Sequence, residues 1–325
     1  MVNHVDDVIG TIVTALKAKG MWDNTLIICT SDNGMYLSHC CLTIFFLYTN
    51  HTNLLLLTSL QLHLLPLLFP CYILGGPLAK GDIVGLVSTS GANNYPLRGG
   101  KIGIMEGGIR LNAFLSGGYL PANLRGTKNE EFMHLADWYA TLCAIAGVDP
   151  TDTKAAAANL PPIDSLNMWP MLSGQVKNSP RMEIPLGSSD NADNAGNTIV
   201  QGFIDVNKTS NTYGLKLILG SVDPAFFQGP VYPNISSTVK PPHLVCGDPD
   251  GIVGAKGPGC LFDIVNDPYE LTDISSQYPG HVAGLRNKIK DLQKNVYNPD
   301  RGGKDPAFCT TGYKKYGGFV GPWID

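Results

Sequence analysis

An aspartate and an asparagine stand side by side at Asp32-Asn33, where the short apolar run Thr25-Leu26-Ile27-Ile28-Cys29-Thr30-Ser31 ends, and Gly34 follows them. Their carboxylate and carboxamide oxygens are the donors that a hard cation such as calcium or magnesium takes. Asp-Asn-Gly is also a favoured tight turn, so these residues alone support either reading. Further along, Arg98, Lys101 and Arg110 lie among the glycines 99, 100, 103, 107 and 108, with Glu106 between them. Glycines let backbone come close to a ligand, and a lysine among them supplies a compact cation for an oxyanion. Taken singly, Lys101 reads as an ordinary surface lysine.

For Asp32 and Asn33 to be presented together, the apolar run must form a buried strand with the pair at its carboxyl end. The run reads as a strand of a parallel sheet, the edge at which open α/β sheets bind their ligands. Before it, Val5, Ile9, Ile12, Val13 and Leu16 are spaced as the apolar face of a helix over 2–19, stopped at Gly20. After the glycine-rich stretch, Thr127-Lys128-Asn129-Glu130 reads as a capping box. The helix it opens would carry Phe132, Leu135, Tyr139, Leu142 and Ala146 on one face and end at Gly147. His134 and Asp137 on that helix read as structural, because such polar pairs usually satisfy backbone or neighbours. Residues 149–162 read as a loop. Beyond Ile184 the texture shifts to shorter strands and turns. Tyr213 to Gly220 alternates as a half-buried strand, and Val282, Leu285, Ile289 and Leu292 mark a later helix.

A chain of 325 residues holds one large domain or two ordinary ones. Its net charge of -4, with no basic stripe, argues against a nucleic-acid partner. Only 15% of residues are charged, and much of that deficit lies in 35–74, which contains no Asp, Glu, Lys or Arg. A membrane span needs about 20 apolar residues. His51, Asn53, Gln61, His63, Pro66 and Pro70 interrupt every such window, and no basic flank sets an orientation. We expect no span there but a disordered apolar insertion, and a translated intron. Gly34-Met35-Tyr36 can be encoded with a 5′ splice signal and Ile73-Leu74-Gly75 with a 3′ signal, so excision would join Gly34 to Gly76 in frame.

The eight cysteines show no zinc-type spacing. Cys246 and Cys260 flank a Gly/Pro/Asp-rich loop and could form a local disulfide. Asn207-Lys208-Thr209 and Asn234-Ile235-Ser236 are glycosylation acceptors in a secreted chain. No signal peptide is visible after Met1.

Three segments in this order resemble the sulfatase family, most closely its arylsulfatase B-like (N-acetylgalactosamine-4-sulfatase-like) branch. They are Ser31-Asp32-Asn33-Gly34, Asn93-Asn94-Tyr95-Pro96-Leu97-Arg98-Gly99-Gly100-Lys101 and Glu106-Gly107-Gly108-Ile109-Arg110. Ile163 to Leu172, and Leu261-Phe262-Asp263 through Asp267-Pro268-Tyr269-Glu270, resemble later segments of the same family. The resemblance covers nearly everything except 35–74. It implies an α/β, alkaline-phosphatase-like sulfatase fold, incomplete here, with a smaller α+β C-terminal domain of antiparallel sheet plus helix. Residues 1–34 and 75–184 would belong to the catalytic domain and 185–325 to the C-terminal one.

The resemblance further implies a sulfuric ester hydrolase acting on sulfated sugars or aryl sulfates. Ca2+ (or Mg2+) would sit at Asp32 and Asn33, and Lys101 would contact the sulfate. The family's nucleophile is a formylglycine made from the cysteine of Cys-x-Pro-Ser-Arg, and no cysteine here stands in that motif. The family's Asp-Asp ligand pair has no counterpart either, since Asp6-Asp7 lie on the first helix. The chain therefore reads as the C-terminal portion of such an enzyme, inactive on its own, with formylglycine expected only in the full-length protein. The alternative is a non-catalytic relative that binds sulfated glycans. The resemblance also places the full-length protein in the secretory pathway, lysosomal or extracellular, and leaves Cys309 without its family partner.

Overall fold

The first helix, α1 (Val2–Ala18), forms on the expected spacing: Ile9, Ile12, Val13 and Leu16 pack against Ile27 and Cys29, and Gly20 ends it at φ +64°. This computed structural model describes residues 2–31, 42–50, 53–61, 94–100, 103–187, 200–222, 225, 227, 244–251, 256–295, 311 and 314–318. Strand β1 (Thr25–Ser31) turns Ile27 and Cys29 toward α1, and Leu26 and Ile28 toward Leu120, Trp138, Leu142 and Ile145. Apolar packing on both faces explains its unbroken apolar run.

The neighbours of β1 are antiparallel, which corrects the parallel sheet expected from the sequence. β2 (Leu42–Asn50) pairs with it on one side and β4 (Ala113–Ser116) on the other, and β3 (Asn53–Gln61) lies beyond β2. An apolar run encodes burial on both faces but not the direction of the partner strand. Within the segment expected to be disordered, 42–50 and 53–61 pair as a hairpin, Asn50 opposite Asn53. A charge-free, leucine- and aromatic-rich run beside an open strand edge finds its backbone partners there.

The middle of the chain is helical in short pieces: α2 (Glu106–Ile109), α3 (Asp137–Ala146), α4 (Thr153–Ala157) and α5 (Trp169–Leu172). The capping box does not close. Thr127 Oγ1 donates to the Leu124 carbonyl, Glu130 pairs with Lys128, and the helix starts only at Asp137. Its core side is Trp138, Leu142 and Ile145, while Leu135 and Tyr139 are exposed. Gly147, at φ +68°, caps it as the sequence suggested. In the stretch read as a loop, Asp152 accepts from the backbone N–H groups of Lys154 and Ala155 and opens α4 on an alanine run.

The remaining strands make an antiparallel sheet: β5 (Glu183–Gly187), β6 (Val200–Asp205), β7 (Leu215–Val222), and β8 (Leu244–Gly247) and β9 (Cys260–Asp263), which both pair with β7. Cys246 of β8 and Cys260 of β9 are disulfide-bonded. Helix α6 (Pro279–Gln293) lays Val282, Leu285 and Ile289 on Phe203, Leu217, Leu219 and Leu261. The opposite face, with Ile204, Ile218, Val222 and Phe262, is covered by Met105 and partly by Ile104 and Ile109. Strand β7 is therefore packed on both sides rather than half-buried. The architecture is mixed α/β, its C-terminal part an antiparallel sheet plus helix. Met105 and Ile184 share one cluster with Ile204 and Ile218, so packing contacts run across residue 184.

Candidate functional site

The glycine-rich stretch folds back on itself. The Gly107 N–H donates to the Arg98 carbonyl (2.7 Å), the Gly103 N–H to that of Gly100 (3.0 Å), and the Asn94 amide to that of Gly99 (3.1 Å). A Cβ on Gly107 would lie 2.5 Å from the carbonyl oxygens of Arg98 and Gly99. On Gly108 it would lie 2.4 Å from those of Gly100 and Gly103. Only glycine permits this approach, which gives the Glu-Gly-Gly segment a steric reason.

Four charged side chains anchor the stretch to the C-terminal sheet. Arg98 donates through Nε to the Ala225 carbonyl (2.7 Å) and through a terminal nitrogen to the Glu270 carbonyl (2.9 Å), with its guanidinium over the Phe227 ring. The Glu106 N–H donates to Glu270 Oε2 (2.7 Å). Lys216, pointing from β7 toward α2, reaches Glu106 Oε1 at 3.0 Å and Glu270 Oε1 at 2.7 Å. Lys216 and Glu270 have no exposed surface. Burial pushes the Glu270 carboxyl above the usual range, against the pull of Lys216 and with the repulsion of Glu106. Burial would lower Lys216, but the two carboxylates outweigh it and hold the ammonium charged. Glu270 sits at φ +55°, where a residue with a Cβ costs roughly 1–3 kcal/mol and persists only because its surroundings hold it there.

A second buried pair closes the neighbouring region. Arg181 donates through Nε to Asp137 Oδ2 (2.7 Å) and through a terminal nitrogen to Oδ1. Asp137 also accepts from the N–H groups of His134 and Leu166. Burial and the Arg181 charge hold His134 below its ordinary value, and its Nδ1 accepts from the Ala136 N–H. Both residues hold backbone, as a structural pair does.

Asp32, Asn33, Lys101, Asn234 and Cys309 lie outside the described residues. What is described is their frame: β1 runs to Ser31, and Gly100 and Gly103 bracket Lys101. Asn207 is half-buried, and its Oδ1 accepts from the Thr209 N–H (3.0 Å) and hydroxyl (2.8 Å). Among the described residues no three His, Cys, Asp or Glu side chains are grouped to hold a metal ion. Asp32 and Asn33 fit a hard cation in donor type, but supply about two or three of the 6–8 oxygens that calcium takes. Sequence reasoning assigned no role to Lys216 or Glu270. The available signal was a lone lysine inside Leu215-Lys216-Leu217-Ile218-Leu219, a charge that a doubly covered strand tolerates only when paired.

Residues 1–148 match the family model described as Sulfatase. Arylsulfatase J of Mus musculus is 27% identical over 341 residues, which span 99% of this chain and 43% of that protein. A solved Bacteroides thetaiotaomicron protein, titled for the metabolism of multiple glycosaminoglycans, gives a TM-score of 0.47 at 18% identity, over 89% of this chain and 43% of that one. The chain thus spans less than half the length of these relatives. The residues matched to the Sulfatase model contain Ser31-Asp32-Asn33-Gly34, Lys101 and the Glu-Gly-Gly segment, so the similarity to sulfatases falls on the segments that carry the candidate site.

Proposed function

We propose that the protein is a sulfuric ester hydrolase of the arylsulfatase B-like kind, acting on sulfated sugars or aryl sulfates. The observation that carries this reading is the sulfatase match over 1–148, the stretch that contains every candidate ligand-binding residue. In this reading Asp32 and Asn33 hold Ca2+ or Mg2+, which when bound withdraws charge from the sulfate oxygens. Lys101 adds positive charge where those oxygens gain negative charge. The glycines around it let backbone approach the oxyanion without a side chain in the way. No cysteine here stands in Cys-x-Pro-Ser-Arg, so a covalent step through formylglycine has no nucleophile within these 325 residues.

A second reading is a non-catalytic relative that binds sulfated glycans. Transcripts extending upstream of Met1 separate the two. An in-frame Cys-x-Pro-Ser-Arg, and aryl sulfate turnover by the product that is lost in Lys101→Ala, supports the hydrolase. A motif missing from every transcript sinks it and leaves the binding protein. A secretory-pathway location is supported by the Cys246–Cys260 disulfide, since such bonds persist in oxidising compartments. Glycosylation at Asn207 and Asn234 would follow from it. Among the described residues no helix is long and apolar enough to cross a membrane.

A further inference from the structure

Lys101 is flanked on both sides by residues tied to the C-terminal sheet. Upstream, Arg98 reaches across to the carbonyls of Ala225 and Glu270; downstream, Glu106 is gripped by Glu270 and Lys216. The formal charges balance, Arg98 and Lys216 against Glu106 and Glu270. Glu270 touches both sides, its backbone carbonyl taking Arg98 and its carboxylate taking the Glu106 N–H. It does so from a left-handed backbone conformation at φ +55° that a non-glycine residue keeps only under constraint.

We propose that Lys216 and Glu270 are positioning residues for the oxyanion site: the C-terminal sheet sets the placement of the glycine-rich segment, and oxyanion affinity there depends on side chains that never touch the ligand. This rests on the reading of Lys101 as the oxyanion contact. The alternative is a cluster that merely holds the fold together. Its loss would then weaken the whole molecule evenly rather than loosen one segment.

Two measurements on the full chain decide it, in Lys216→Met and Glu270→Gln. Lys216→Met leaves two carboxylates buried and facing each other and risks unfolding. Glu270→Gln keeps the shape and the acceptor for the Glu106 N–H, and so preserves the test. Amide hydrogen exchange is followed at Glu106, Gly107 and Gly108, with Ile27, Ile28, Leu285 and Ile289 as controls. We expect selective acceleration at 106–108, on the order of a hundredfold to a few thousandfold in Lys216→Met, the range that breaking a buried ion pair implies. Binding of inorganic sulfate, titrated by NMR, should weaken about tenfold in both variants, as for outer partners of ligand-holding groups. Acceleration that is absent, or equal at the controls, overturns the proposal. So does sulfate affinity unchanged in both variants while Lys101→Ala abolishes binding. Selective acceleration together with sulfate binding that survives Lys101→Ala instead sinks the oxyanion reading and leaves the clamp standing.

Discussion

Gly107 and Gly108 are specified by the carbonyl oxygens they face. Gly107→Ala must push a methyl to 2.5 Å from two of them, neither of which is a flexible side-chain end. We expect a loss of about 1–3 kcal/mol, the usual cost of overpacking, measurable by denaturant unfolding. Gly126→Ala has nothing within 4 Å of its Cβ, so there only the backbone strain at φ +75° remains. Glu270 carries a pH dependence. A carboxyl whose folded value is raised binds its proton more tightly in the folded chain. Its stabilising contribution is whole below the ordinary carboxylate range and is lost as pH rises through the raised value. The charges that face it are Glu106, Lys216 and Arg98, and Lys216 stays protonated throughout that window. As pH rises above the ordinary carboxylate range and through that raised value, wild type should therefore lose stability relative to Glu270→Gln. Parallel melting temperatures across that range would contradict this.

At the scale of elements, α3 is held less by its own propensity than by Asp137. That carboxylate takes Arg181 and the His134 and Leu166 N–H groups, so it ties helix, preceding turn and following loop together. Asp137→Ala leaves Arg181 buried and uncompensated, and should cost about 3–5 kcal/mol in chemical denaturation. A loss below 1 kcal/mol would show that the pair is replaceable. Along the edge of β7, strands β8 and β9 are joined by Cys246–Cys260, which closes a separation of 14 residues. Reduction should cost about 3 kcal/mol on the chain-entropy account of a loop that size. The sequence read the ends of several elements correctly, Gly20 and Gly147 among them, because a left-handed glycine stop is a local matter. It misplaced the start of α3, because Thr127 and Glu130 found other partners that no short window reveals.

At the scale of the whole molecule, two measurements bear on the proposed cation and on the insertion. On the proposed cation reading, Asp32 and Asn33 would supply about two or three oxygens, so calcium should bind only in the millimolar range typical of weak sites. A micromolar site by calorimetry, lost in Asp32→Ala, would mean that other ligands of this chain complete the shell. The intron reading of 35–74 predicts mature transcripts that join the codons of Gly34 and Gly76. Messages that mostly retain codons 35–74 in a stably made protein would reject it. The hairpin formed by 42–50 and 53–61 is what a charge-free run does beside an open edge, and does not bear on splicing.

Residue identity alone carried the resemblance to sulfatases, the donor types at Asp32 and Asn33, the cation at Lys101 and the pairing of Cys246 with Cys260, since each lies within a short contiguous motif or loop. Periodicity carried α1 and α6, whose apolar stripes face cores the helices themselves define. Strand direction, the covering of β7 on both faces and the meeting of Glu106, Lys216 and Glu270 belong to tertiary structure. Lys216 and Glu270 lie 110 and 164 positions from Glu106, and nothing local records which distant charge a buried lysine meets. Desolvation makes such a charge tolerable only when the chain has already brought its partners to it, and that condition is met by the fold and not by any segment of it.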